Sequence, residues 1–188
     1  MEILVALHNI RSTYNVGAIL RSCDGFGVSG AVLSGYTPRI HDASLLPHLR
    51  EKLDKQIGKT ALGAENTVEI YSPDDIFSFL IEKKNEGWKI LGLENNIEDG
   101  RLYDLCSKEL HRQLGDKVVL LLGEEVNGID CSLYDIIDYF AEIPMKGTKE
   151  SFNVSVAAGI ALYELSKLGR KKPSPVTKAL KKCYLREK

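Results

Sequence analysis

Lys117–Gly123 reads KVVLLLG. Five consecutive apolar residues leave no polar face, so both faces of this strand must be covered, as in the centre of a parallel sheet. Working outward, ILVALH (Ile3–His8) has the same character, AVLS (Ala31–Ser34) and TVEIY (Thr67–Tyr71) read as strands, and so does WKILGLE (Trp88–Glu94). YFAEI (Tyr139–Ile143) completes the set as a short last strand. Helical patterns lie between them. NVGAILRSCDGFG (Asn15–Gly27) places Val16, Ile19, Leu20 and Cys23 on one face, with Asn15 starting the helix. Ser72 as N-cap and Pro73 at the first helical position predict a helix running to about Asn85. VSVAAGIALYEL (Val154–Leu165) is a long apolar helix. Strand and helix in alternation predict an α/β fold, a mostly parallel sheet flanked by helices.

The chain has 188 residues, 44% of them hydrophobic, enough for one domain with a sizeable core. That domain is expected over residues 1–168, with residues 169–188 a short basic extension in which the break GRKKPSP (Gly169–Pro175) precedes a short basic helix. No stretch reaches the apolar length of a membrane span, and Met1–Leu7 has neither the charged flank nor the cleavage site of a signal peptide. Cys23, Cys106, Cys131 and Cys183 are scattered without a CxxC pair, which argues against a zinc site; no metal is expected. Free thiols in a reducing cytoplasm account for them. Net charge is −1, but Ser166–Lys188 carries +8 and the remainder −9. A basic tail on an acidic body fits a polyanion partner, a dimer that joins tail to body, or a solvated tail. The overall charge is not that of a typical nucleic-acid binder.

GFGVSG (Gly25–Gly30) satisfies G-x-G-x-x-G but sits in the wrong order. A dinucleotide fingerprint follows a strand and opens a helix, whereas this one closes a helix and opens AVLS. Its glycines suit a helix C-cap and a tight turn.

Three segments carry chemistry. HNIRSTYNVGAILRSCDGFG (His8–Gly27) puts Asn9 and Arg11 in a loop after the first strand, where open α/β sheets bind ligands, and starts its helix at Asn15. Arg21 follows six residues after Asn15; an arginine in an apolar helix either meets an acid, leaves the core, or serves a site. LLLGEEVNGID (Leu120–Asp130) ends the central strand on Gly123, follows it with acids and closes the turn at Gly128, where a ligand can approach the backbone. IPMKGTKESFNVSV (Ile143–Val156) delivers Ser151 and Asn153 at a helix N-terminus, a place with free N–H groups and a positive dipole end. A helix-capping role for either residue is equally compatible. Three strand-end loops of this kind make one pocket.

Asn15-x5-Arg21, Gly123-x-Glu125-x2-Gly128, and IPM followed by Ser151 and Asn153 in S-x-N-V-S-V together resemble the three motifs of the SpoU (TrmH-like) RNA ribose methyltransferases of the SPOUT superfamily. The similarity runs from Ile3 to about Leu165, and KTALGAE (Lys59–Glu65) resembles a further segment of some members. Phe152 stands where members usually have Leu. No N-terminal RNA-binding extension, such as some members carry, is expected.

The resemblance implies transfer of a methyl group from S-adenosylmethionine to a ribose 2′-hydroxyl of tRNA or rRNA. It also implies a C-terminal deep trefoil knot, a homodimer whose active site is completed across the interface, and a cytoplasmic protein. Leu93, Gly123, Ile143, Met145, Ser151, Phe152 and Asn153 would hold the cofactor. Arg21, Asn15, Glu125, Ser151 and Asn153 would form the catalytic group, with Arg21 nearest the chemistry and Glu125 in support. RNA contacts are expected at Arg11, Arg39, Arg50 and Lys52, with Lys55, Lys59 and the tail from Lys167 as further basic candidates. A catalytically inactive RNA-binding or ribosome-assembly factor on the same fold is the alternative. A nucleotide-binding metabolic enzyme is disfavoured, because no phosphate-cradling Gly-Lys loop is present.

Overall fold

The computed structural model describes residues 1–169. The basic segment 170–188, with Cys183 and most of the tail expected to meet RNA, lies outside the described residues.

Among the described residues, seven strands form one sheet: β1 (Glu2–His8), β2 (Gly30–Ser34), β3 (Ile70–Tyr71), β4 (Lys89–Leu93), β5 (Leu102–Asp104), β6 (Lys117–Leu122) and β7 (Tyr139–Glu142). Their order is β3-β2-β1-β6-β4-β7-β5, and every pairing is parallel. β6 lies at the centre, paired with β1 from Glu2–Lys117 to Leu7–Leu122 and with β4 from Lys89–Val118 to Leu93–Leu122. Val118–Leu122 are all buried, as two covered faces demand. The two-residue period of the strands divides the core. Ile3, Val5, Leu7, Val118, Leu120 and Leu122 join one cluster; Leu4, Ala6, Val119 and Leu121 join the other.

Among the described residues, five helices flank the sheet: α1 (Thr13–Phe26), α2 (Pro47–Ala61), α3 (Ile76–Asn85), α4 (Lys108–Gln113) and α5 (Val154–Leu168). α1 buries Val16, Ile19, Leu20 and Cys23, the face its spacing predicts. It begins earlier than expected, because the Ser12 hydroxyl caps it by accepting from the Asn15 N–H. Asn15 therefore sits in the first turn and its side chain is free to reach outward. Gly27 ends the helix with φ 65° and donates its N–H to Asp24, the left-handed cap expected in place of a dinucleotide loop. Cys23, Cys106 and Cys131 are free thiols.

Two local expectations change. Asp75, not Ser72, caps α3: its carboxylate accepts from the N–H groups of both Phe77 and Ser78, and Pro73 stays outside the helix with its carbonyl accepting from Arg39. Of Thr67–Tyr71 only Ile70 and Tyr71 pair with β2, since Thr67 is taken up in the end of a 3₁₀ turn at Ala64–Asn66. No helix among the described residues is long and apolar enough to cross a membrane.

Candidate functional site

At the carboxyl ends of the central strands, the loops after β4, β6 and β7 enclose a cleft of about 390 Å³. This is where an open parallel sheet presents its ligand site. Each loop has a distinct task.

The loop after β6 is a tight hairpin: Glu124 and Gly128 exchange both backbone hydrogen bonds, at 2.8 and 2.9 Å. Gly123 lies flat against it. A Cβ at Gly123 would stand 2.2 Å from the Gly128 carbonyl carbon and 2.3 Å from the Ile129 nitrogen, so only glycine permits the turn. Gly128 itself has φ 72° and backs onto the Glu94 carboxylate.

Glu125 reaches from this hairpin to the start of α1. Its Oε1 accepts from the Asn15 amide at 3.0 Å and the Ser12 N–H at 3.3 Å, and its Oε2 from the Arg11 N–H at 3.2 Å. Partial burial pushes the carboxyl up, but the bonds from Asn15, Arg11 and Ser12 outweigh it and hold it below the ordinary range. A carboxylate at a helix N-terminus also meets the positive end of the dipole.

The loop after β7 contributes Asn153. Its Oδ1 caps α5 by accepting from the Ser155 N–H (2.9 Å) and hydroxyl (2.6 Å). Its Nδ2 donates to Asn15 Oδ1 at 3.2 Å. Capping and site-building are thus one geometry. The chain Asn153–Asn15–Glu125 joins the loops after β6 and β7 to the first turn of α1, across as many as 138 residues of sequence separation.

Of the residues expected at a cofactor, Leu93, Gly123, Ile143, Ser151, Phe152 and Asn153 line the cleft; Met145 is half-buried and does not. Glu125 lines it as well, and Asn15 joins through its two bonds. Arg21 stands apart. It is exposed on α1, away from the lining, and makes no ion pair or side-chain hydrogen bond to the described residues. Glu125 therefore orients Asn15 and does not hold Arg21 of the same chain.

The basic candidates are dispersed. Arg11 pairs with Glu124, and Arg39 with Asp74 and the Pro73 carbonyl. Arg50 and Lys52 lie on α2, where Lys52, Lys55 and Lys59 share a face by helical spacing and Lys55 pairs with Glu51.

Sequence reasoning missed Glu94 and Asn95, which line the cleft just after β4. The signal was present, since they end an apolar strand as Glu124 and Glu125 do. Half-buried Glu94 accepts from the Ile129 N–H (2.8 Å) and the Asn95 N–H (3.2 Å). Burial raises its pKa, and those two bonds only partly oppose it. A carboxyl raised on folding contributes its stability fully below the unfolded value of about 4.3 and loses it as pH rises through the folded value. Glu94→Gln is therefore expected to gain in Tm over the wild type as pH rises through that window, measured by paired thermal melts. An unchanged difference across the window would remove the burial strain.

The model of the SpoU rRNA Methylase family matches residues 2–163. A 23S rRNA (guanosine-2'-O-)-methyltransferase RlmB of Xylella fastidiosa (strain 9a5c) is 32% identical over 162 residues, covering 86% of this chain and 57% of the relative. The chain spans about half the length of the curated relatives it matches. Among solved structures, the A. aeolicus TrmH/SpoU tRNA modifying enzyme superposes with a TM-score of 0.69 at 26% identity, covering 99% of this chain and 89% of that one. The AdoMet-bound rRNA methyltransferase from Sinorhizobium meliloti shares the fold, with a TM-score of 0.72 at 23% identity over 90% of this chain and 57% of that one. With the family model matched from the first strand to the last described helix, over the same loops that build the cleft, this chain belongs to the SpoU rRNA methylase family.

Proposed function

We propose that the protein is an S-adenosylmethionine-dependent RNA methyltransferase acting on a ribose 2′-hydroxyl of tRNA or rRNA. The observation that carries this reading is the hydrogen-bonded chain Asn153–Asn15–Glu125, which ties all three motifs to the rim of one cleft. RNA methyltransferase names among the relatives support it.

The cleft fits the cofactor chemically. Leu93, Leu122, Ile143, Phe152 and Ala157 offer apolar surface for an adenine. Among the described residues, Glu94, Glu124 and Glu125 are the charged ones that line it, and carboxylates suit a ligand bearing sulfonium and ammonium charges. Bound there, the cofactor would supply an electrophilic methyl group. The protein would do the rest. Gly123 and the backbone around Leu93 and Ile143 would let the adenosine approach closely. Asn15 and Asn153, each fixed at both ends of its amide, would keep the reacting end in one geometry. Arg21 would hold an RNA phosphate or ribose oxygen with its planar donors and stabilise the incipient alkoxide. A guanidinium offers donors and no acceptor, which makes it a poor general base near neutral pH.

Exposed Arg21 lies on a helix pair that also exposes Phe26, Val156 and Tyr163. Those apolar side chains support a homodimer in which Arg21 serves the cleft of the partner subunit. The family fold supports a C-terminal trefoil knot around the same loops, and an RNA substrate of the ribosomal or transfer class supports a cytoplasmic setting. RNA would meet the exposed face of α2 at Lys52, Lys55 and Lys59.

Calorimetry with S-adenosylmethionine tests the cofactor assignment. Saturable one-site binding is expected, and no binding at millimolar ligand would overturn it.

A further inference from the structure

Ser151 and Phe152 line the cleft at the end of the segment 144–152, which belongs to no helix or strand and is mostly exposed. A backbone of this kind stays in one place only if its polar groups are tied down. To the described residues, the backbone of 143–152 makes hydrogen bonds at two points, and both lead to the loop after β4. At Ile143, the Asn95 side chain forms a two-way pair: Oδ1 accepts the Ile143 N–H at 3.0 Å and Nδ2 donates to the Ile143 carbonyl at 3.0 Å. Seven residues further on, Nδ2 of the same Asn95 donates to the Glu150 carbonyl at 3.3 Å, with Asn96 Nδ2 adding a bond at 3.4 Å. Asn96 stands at φ 58°, a conformation asparagine tolerates better than most residues.

The Asn95 amide thus takes the place of one more strand residue. Beyond Leu93, where the β4–β7 ladder ends at Ala141, the Glu94 N–H still bonds the Ala141 carbonyl, and the Asn95 side chain carries the pairing on to Ile143. Its further bond to the Glu150 carbonyl holds the chain where it delivers Ser151, Phe152 and Asn153 to the cleft. Only a side chain with a donor and an acceptor on one planar group can do this, which restricts the position to Asn at this length.

We infer that Asn95 is the clasp of the cofactor wall: a positioning residue that sets affinity for S-adenosylmethionine by holding residues 143–150 in place, and takes no part in methyl transfer. The inference rests on the cofactor assignment proposed above.

The test is Asn95→Ala in the full chain, with Asn96→Ala beside it. Three lost hydrogen bonds should weaken S-adenosylmethionine binding about tenfold or more by calorimetry, and Asn96→Ala less. With RNA from a strain lacking the gene as substrate, KM for S-adenosylmethionine should rise by the same factor while kcat at saturation is retained. Hydrogen exchange should quicken at Ile143 and through the following loop but not in β1, β4 or β6. Wild-type affinity in Asn95→Ala would overturn the clasp. So would a fall in kcat without a rise in KM, or quickened exchange across the core strands. If the wild type itself binds no S-adenosylmethionine, the cofactor assignment fails, and the exchange pattern alone still decides whether Asn95 holds the loop.

Discussion

Arg21→Ala is expected to reduce methyl transfer about a hundredfold or more while leaving S-adenosylmethionine binding unchanged, the signature of a group that acts on the transition state and not on the bound cofactor. The reason lies in where Arg21 sits: exposed on α1, outside the cleft and without a partner among the described residues of its own chain. Removing it empties no core and breaks no ion pair there, so Tm should hold. The proposed dimer adds a sharper test. Arg21→Ala and Asn153→Ala are each expected to be inactive, but subunits of the two variants, unfolded together and reassembled, should regain about a quarter of wild-type activity, because half the dimers then hold one intact composite site. No recovery would mean that Arg21 serves its own cleft. Arg21→Lys separates two roles for the side chain. Most activity retained with a shifted pH optimum would argue against bidentate positioning, since lysine offers a point charge and not a planar fork.

Gly123→Ala should have the second large effect, and by a different route. The added Cβ would meet the backbone of Gly128 and Ile129, not a flexible side chain that could swing aside. The hairpin that presents Glu125 must then move, and with it the bonds to Asn15, Ser12 and Arg11. Overpacking of this kind costs about 1–3 kcal/mol, so Tm should fall by several degrees. Cofactor binding should be lost more completely than stability, since the displaced atoms line the cleft. Paired thermal melts and calorimetry check this. Binding retained at a lowered Tm would mean that the turn relaxes without disturbing the site.

How much was legible in the sequence follows from how strongly each element depends on its own residues. β6 declared itself because five buried apolar residues have no other use. α1 did so because its apolar face repeats with helical spacing, and Gly27 marks its end. α2 was hidden: in fifteen residues it buries only Ile57 and Ala61, too few to show a stripe. β5 and α4 were hidden by their length, three and six residues. At α3 two acids compete with Ser72 for the cap, and the choice of Asp75 depends on the path of the loop, which Arg39 helps to fix from 34 positions away.

The candidate site shows the same division. Asn15, Glu125 and Asn153 were found because three motifs carry them. Their mutual hydrogen bonds could not be read from spacing, for they cross as many as 138 positions. Asn95 went unseen because its role exists only once the two loops lie side by side. Met145 was placed by the motif alone, and the fold leaves it off the lining.

The most direct measurement is methyl mapping of tRNA and rRNA from a strain lacking the gene, compared with the same RNA treated with purified protein and S-adenosylmethionine. A ribose 2′-O-methyl group absent from the deletion strain and restored at a single nucleotide in vitro is the expected result. Identical maps, with no methyl incorporated by a protein that is folded and binds RNA, would contradict it and leave a catalytically inactive RNA-binding factor on the same fold.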